Sequence, residues 1–205
     1  MTTTSAVVQA EIKTAEKTKQ TVDIEPGLRA DYIPAFREKR GGSMAQKSDF
    51  SAQEWEMLRD TPLVVAIAVA VAGGSGLFGS LKESIAPAKT IVEALQGNNT
   101  LLREICNQEE MKTAQGSLRE QFKETEFSAL REKLRSTALS KVGSALDLLK
   151  QKAGDEDHKA YQDFVTKIAT RVAEAAKEGG FFGFGGERIS ENEQALLKDL
   201  STALG

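Results

Sequence analysis

The apolar run Leu63 to Ala72 leads through Gly73 into Gly74-Ser75-Gly76-Leu77-Phe78-Gly79, and the nature of this junction decides the fold class of the chain. The glycines fit G-x-G-x-x-G. If the run were a strand, they would lead a dinucleotide pyrophosphate onto a helix N-terminus. Almost everything after Lys82, however, reads as amphipathic helix, and a lone apolar run cannot build the parallel sheet such a site needs. The glycines therefore read as a helix-ending loop. A nucleotide-dependent enzyme using Gly74, Gly76 and Gly79 is the least favoured of three functional readings, and no catalytic residue, cofactor or metal ligand is assigned.

Charge and cysteine narrow the partners. With 27 basic and 30 acidic residues, the net charge of −3 provides no concentrated basic field for nucleic acid. One cysteine, Cys106, excludes an intramolecular disulfide; with the single histidine, His158, it also excludes Cys-rich zinc sites. Such usage fits a reducing cytoplasm. The first residues, Met1 to Gln20, contain no continuous apolar h-region, so a secretory signal is not expected. Thr61 to Leu81 is free of charge and as a helix would cover about 30 Å. Pro62 and the glycines interrupt it, leaving Leu63 to Ala72 at about 15 Å, the length of a buried core helix.

Residues 1–48 form a flexible extension or linker in this reading, with Thr-rich and Lys-rich stretches and the breakers Arg40-Gly41-Gly42-Ser43. Met44 after Gly-Gly-Ser suits either a native linker or a fusion joint. Within the extension, Tyr32, Ile33 and Phe36 put three large apolar side chains in a polar setting, the pattern of a short docking peptide.

Residues 49–205 read as an all-α, multi-helix bundle with a central apolar helix. Ser51 and Glu54 make a capping box, and Phe50 is placed to staple onto Trp55. Pro62 suits the first turn of a new helix with Thr61 as its cap. That helix, Leu63 to Ala72, is apolar on every side and so belongs at the centre. Ile85, Ala88, Val92 and Leu95 then form a helical stripe that Gly97-Asn98-Asn99 stops. A short helix follows with Leu101, Leu102, Ile105 and Cys106. From Ser117 the pattern runs long, through Leu118, Phe122, Leu130, Leu134, Ala138, Val142, Leu146 and Leu149, to Gly154. Asp155 is expected to cap the next helix, whose face is Tyr161, Phe164, Val165, Ile168, Ala169, Val172 and Ala176. Ser190 and Glu193 open the last, which buries Leu196, Leu197, Leu200 and Leu204.

A second glycine-rich segment, Gly179 to Gly186, carries Phe181, Phe182 and Phe184; with Phe78 these are four of the nine phenylalanines. Such aromatic surface in loops either plugs the bundle's open end or meets a partner, an oligomer mate or a lipid surface. Asp155-Glu156-Asp157-His158 gathers metal-ligand types, yet consecutive residues at a helix start point around the axis, and the helix N-terminus accounts for the acids. Cys106 reads as a buried structural thiol.

The domain from Phe50 onward resembles small, largely uncharacterised bacterial helical proteins similar to the tellurite-resistance TerB-like family. Phe50-Ser51-Ala52-Gln53-Glu54-Trp55, Thr61-Pro62-Leu63-Val64-Val65 and the Gly180 to Glu193 region carry the resemblance. It implies an all-helical fold with a stress-related function. The family's acidic metal-binding positions after the first apolar helix are replaced here by Gly73-Gly74-Ser75-Gly76, so only the fold carries over. The favoured function is non-enzymatic action through protein partners or self-association, using Phe78, Phe181, Phe182 and Phe184 and secondarily Tyr32, Ile33 and Phe36. The alternative is a peripheral membrane protein that inserts the same Gly-Phe loop.

Overall fold

Ser51 sets the start of the first helix, α1 (Ala52–Ala72). Its Oγ accepts the Glu54 amide at 3.3 Å, and the Glu54 carboxylate accepts the Ser51 amide at 2.8 Å, satisfying two donors that helix geometry leaves open. Phe50 closes onto Trp55 with ring centroids 6.2 Å apart, so the expected staple is formed. The structure, a computed structural model, describes residues 44–73, 81–178 and 191–205. Tyr32, Ile33, Phe36, Phe78, Phe181, Phe182 and Phe184 lie outside the described residues, as do the expected extension up to Ser43, Gly74, Gly76, Gly79 and the expected cap Ser190.

The remaining helices are α2 (Leu81–Gln96), α3 (Thr100–Ile105), α4 (Gln108–Phe122), α5 (Phe127–Lys152), α6 (Asp155–Glu178) and α7 (Glu191–Leu204). One 3-10 turn, Lys47–Asp49, precedes α1, and no strand occurs among the described residues. The fold is an all-α bundle.

α1 corrects the expectation of two helices meeting at Thr61. It runs unbroken through Pro62. A proline there removes the amide that would bond the Leu58 carbonyl, normally a loss of about 3 kcal/mol in a helix interior. The fold compensates from outside the helix: the Tyr161 hydroxyl of α6 donates to the Leu58 carbonyl at 2.8 Å. Thr61 does not cap; its hydroxyl bonds the Met57 carbonyl at 2.6 Å. Leu63 to Ala72 is therefore helix, and Gly74 to Gly79 does not follow a strand. The dinucleotide reading loses the element that would aim its glycines.

α1 lies at the centre, packed on α4, α5, α6 and α7, and Leu58, Val64, Val65 and Val69 are wholly buried. The long pattern from Ser117 is two helices rather than one, divided at Lys123–Glu126, where the Thr125 amide bonds the Phe122 carbonyl at 3.0 Å. Asp155 is inside α6 instead of capping it.

Side-chain pairings fix the helix directions. Glu54 near the start of α1 pairs with Lys152 at the end of α5. Asn99, just beyond α2, donates to Asp157 in the first turn of α6, whereas Thr90 farther back in α2 accepts from Arg171. The Gln162 side chain of α6 reaches the Leu204 carbonyl at the end of α7. One end of the bundle thus holds Met44, the start of α1 and α6, and the ends of α2, α5 and α7. The opposite end holds Ala72, Leu81, Glu178 and Glu191, the residues into which both glycine-phenylalanine segments join.

Candidate functional site

α2 packs the reverse of its sequence stripe. Inside are Thr90, 1% exposed, and Ala94, with Pro87 and Ile91 half-buried. Outside are Ala88, Val92 and Leu95, at the i, i+4, i+7 spacing of one helix face. Val92 is 49% and Leu95 39% exposed, so this stripe is not core as the periodicity suggested. The side chain of Ile85 lies outside the described residues. Ordinarily an amphipathic helix buries its apolar face; here the opposite one is held, by Ile91 and Ala94 packed on the core and by ionic contacts.

Those contacts come from α6. Arg171 donates to Thr90 Oγ1 at 2.9 Å and to Glu93 Oε1 at 2.8 Å, while Lys167 pairs with Glu93 Oε2 at 2.7 Å. Hydrogen bonds from Arg171 and then Lys167 hold the Glu93 carboxyl down at about 2. Lys89 is exposed beside Val92. Next to this helix, a shallow hollow where α1, α2, α4 and α6 meet is lined by apolar side chains that include Leu63, Pro87, Ile91, Met111, Phe164 and Ile168. It offers no polar group to orient a substrate.

The acidic run at the start of α6 is divided in its roles. Asp155 and Glu156 are exposed, but Asp157 is 2% exposed and accepts the Ala45 amide at 2.7 Å and the Asn99 side chain at 2.8 Å. Among the described residues, no three His, Cys, Asp or Glu side chains gather as a metal site. Burial pushes the Cys106 thiol up to about 12, which keeps it protonated and a poor nucleophile at neutral pH.

A second polar cluster, missed by sequence reasoning, centres on Glu110 of α4. Its carboxylate accepts Trp55 Nε1 at 3.0 Å, pairs with Lys47 and lies 3.7 Å from Arg59. Arg59 also donates to Asp60 at 2.7 Å, and Ser117 completes the buried Asp60 at 2.9 Å. Every charge here has a partner, the condition under which buried charges are tolerated. The cluster ties α1 to α4. No helix among the described residues is long and apolar enough to cross a membrane.

No known protein family, curated protein or solved structure matches this chain.

Proposed function

We propose that this is a non-enzymatic, cytoplasmic helical-bundle protein that works by contact with another protein, which it meets with the outer face of α2. The observation that carries the reading is that Val92 and Leu95 are the large apolar side chains left exposed among the described residues, on one face of a helix held from behind by Arg171 and Lys167. The segments that contain Phe78 and Phe181, Phe182 and Phe184 join the bundle at its opposite end, away from Val92 and Leu95 in the last turns of α2, and are a separate apolar feature of the sequence. Two half-exposed side chains fall far short of the roughly 800 Å² per partner that a stable protein–protein interface buries, so the face suits a transient contact. A separate partner with a matching apolar anchor and an acidic flank for Lys89 suits the face better than a second copy.

A photo-reactive residue at position 92 tests the reading. It is expected to cross-link one partner, identified by mass spectrometry, whose purified form binds the wild type and loses at least tenfold in affinity, about 1.4 kcal/mol, against V92S/L95S. The Phe181, Phe182, Phe184 to Ser variant then reports whether that segment shares the contact. Cross-links only between copies, with sedimentation as a dimer, would transfer the face to self-association. Flotation of the protein with liposomes, abolished by the same substitutions, would transfer it to a membrane surface.

A further inference from the structure

The stretch Met44–Phe50 crosses the start of the bundle as a strap, and carboxylates fasten it. Asp157 of α6 accepts the Ala45 amide at 2.7 Å, Glu104 of α3 accepts the Lys47 amide at 2.6 Å, and Glu110 of α4 pairs with the Lys47 ammonium. The Met44 sulfur adds a weak acceptor to the Thr100 amide at 3.4 Å. Its buried apolar side chains are Ala45 and Phe50. Three helices therefore each hold the strap through an ionisable oxygen acceptor.

We propose that this strap is an acid-released latch: protonation of Glu110, Asp157 and Glu104 lets Met44–Phe50 leave the bundle while the helices beneath it stay packed. Each carboxylate that takes a proton from solvent loses its charge and becomes a weaker acceptor, so water competes better for the two amides and the ammonium. The Lys47 side chain is already 56% exposed and needs no rearrangement to be solvated. Underneath, the core contacts of α1 with α5 and α6 are apolar, and the titratable exception is the Glu54–Lys152 pair at the edge of α1 and α5.

The surroundings of Glu110 favour its charged form, and all three carboxylates have their strap partners in the closed form. Glu110 faces Lys47 from the strap and Trp55 and Arg59 from α1, with Arg59 shared by Asp60. Asp157 faces the Ala45 amide and the Asn99 side chain, with Asp155, Glu156 and His158 as neighbours on its own helix. Glu104 faces the Lys47 amide, with Arg103 beside it in α3. Burial pushes the Glu110 carboxyl up, but hydrogen bonds from Lys47 and Trp55 and the charges of Lys47 and Arg59 outweigh it and leave it below the ordinary value. A depressed carboxyl stabilises the closed form fully above the ordinary glutamate range and loses that effect as pH falls through its own lower value.

Trp55 is the one tryptophan of the chain and lies under the strap, 3% exposed, with its indole on Glu110 and Lys47 over its ring at 5.6 Å. The full chain is titrated from about pH 7 to about pH 3, across the carboxylate range, while Trp55 emission and far-ultraviolet ellipticity are recorded together. Emission is expected to move to the red at a pH where ellipticity still has its neutral value. In E110Q part of that red shift is expected already at neutral pH, with ellipticity retained, and D157N is expected to raise the midpoint of the remainder. Emission that moves only together with ellipticity, or that stays constant across the range, overturns the latch, and so does neutral emission of a folded E110Q identical to wild type. Should E110Q not fold, the wild-type titration decides alone.

Discussion

Pro62 and Tyr161 act as a pair although 99 positions of sequence separate them. The proline leaves the Leu58 carbonyl without its helical donor, and the Tyr161 hydroxyl, itself 1% exposed, fills the vacancy. Y161F keeps the ring's packing but orphans a buried carbonyl, which costs about 1–3 kcal/mol. Thermal or urea unfolding should therefore register a clear loss. P62A returns an amide to the same carbonyl, so the double variant P62A/Y161F should lose less than the sum of the singles. Strict additivity in that cycle would show that the hydroxyl does not answer for the proline. This residue pair also explains why local sequence misplaced the helix boundary. Thr61-Pro62 is as good a helix start as it is a helix interior; the group that decides between them is on another helix.

At the scale of elements, α2 depends on its ionic seat. Glu93 is held at about 2 by hydrogen bonds from Arg171 and Lys167, well under its ordinary 4.5. A depressed carboxyl contributes fully above its unfolded value and loses that contribution as pH falls through the folded one. The difference in thermal midpoint between wild type and E93Q should be constant above about pH 5 and shrink toward zero near about pH 2. A difference that stays the same throughout would mean that Glu93 does not seat the helix through its charge. Cap chemistry made much at this scale legible in advance: the Ser51–Glu54 box and the stop at Gly97-Asn98-Asn99 fall where expected. The facing of α2 was not legible. Ile85, Ala88, Val92 and Leu95 define a face by spacing, but spacing names no neighbour, and Arg171 with Lys167 draws in the opposite side. The division at Lys123–Glu126 was hidden for a related reason, since Lys123-Glu124-Thr125-Glu126 contains neither glycine nor proline to mark a break.

For the molecule as a whole, α1 packs on α4, α5, α6 and α7, and the strap closes one end over it. A chain beginning at Ser51 should melt below one beginning at Met44, because it loses buried Ala45 and Phe50 and strands Asp157 and Glu110 without their strap partners. A core Phe truncation alone costs about 3–5 kcal/mol, so a shift of several degrees is expected in calorimetry. Equal midpoints would show that the strap adds nothing to the bundle. All-helical architecture and a buried central helix were readable from periodicity. The strap's fastening was not, because Asp157, Glu104 and Glu110 look like ordinary surface acids until tertiary contacts turn them inward.

The opposed ends of the bundle carry an electrical consequence. The 21 residues of α1 separate its two ends by about 30 Å, some three to four times the distance over which salt at physiological strength damps a surface charge. Through solvent, discharging the acids around Met44 is therefore strongly damped at Ala72, Leu81, Glu178 and Glu191. Beyond that damped field, a message from one pole to the other travels as a movement of packed helices, and α1, packed along α6 and hydrogen-bonded to it by the Tyr161 hydroxyl, is the shaft along which it would pass.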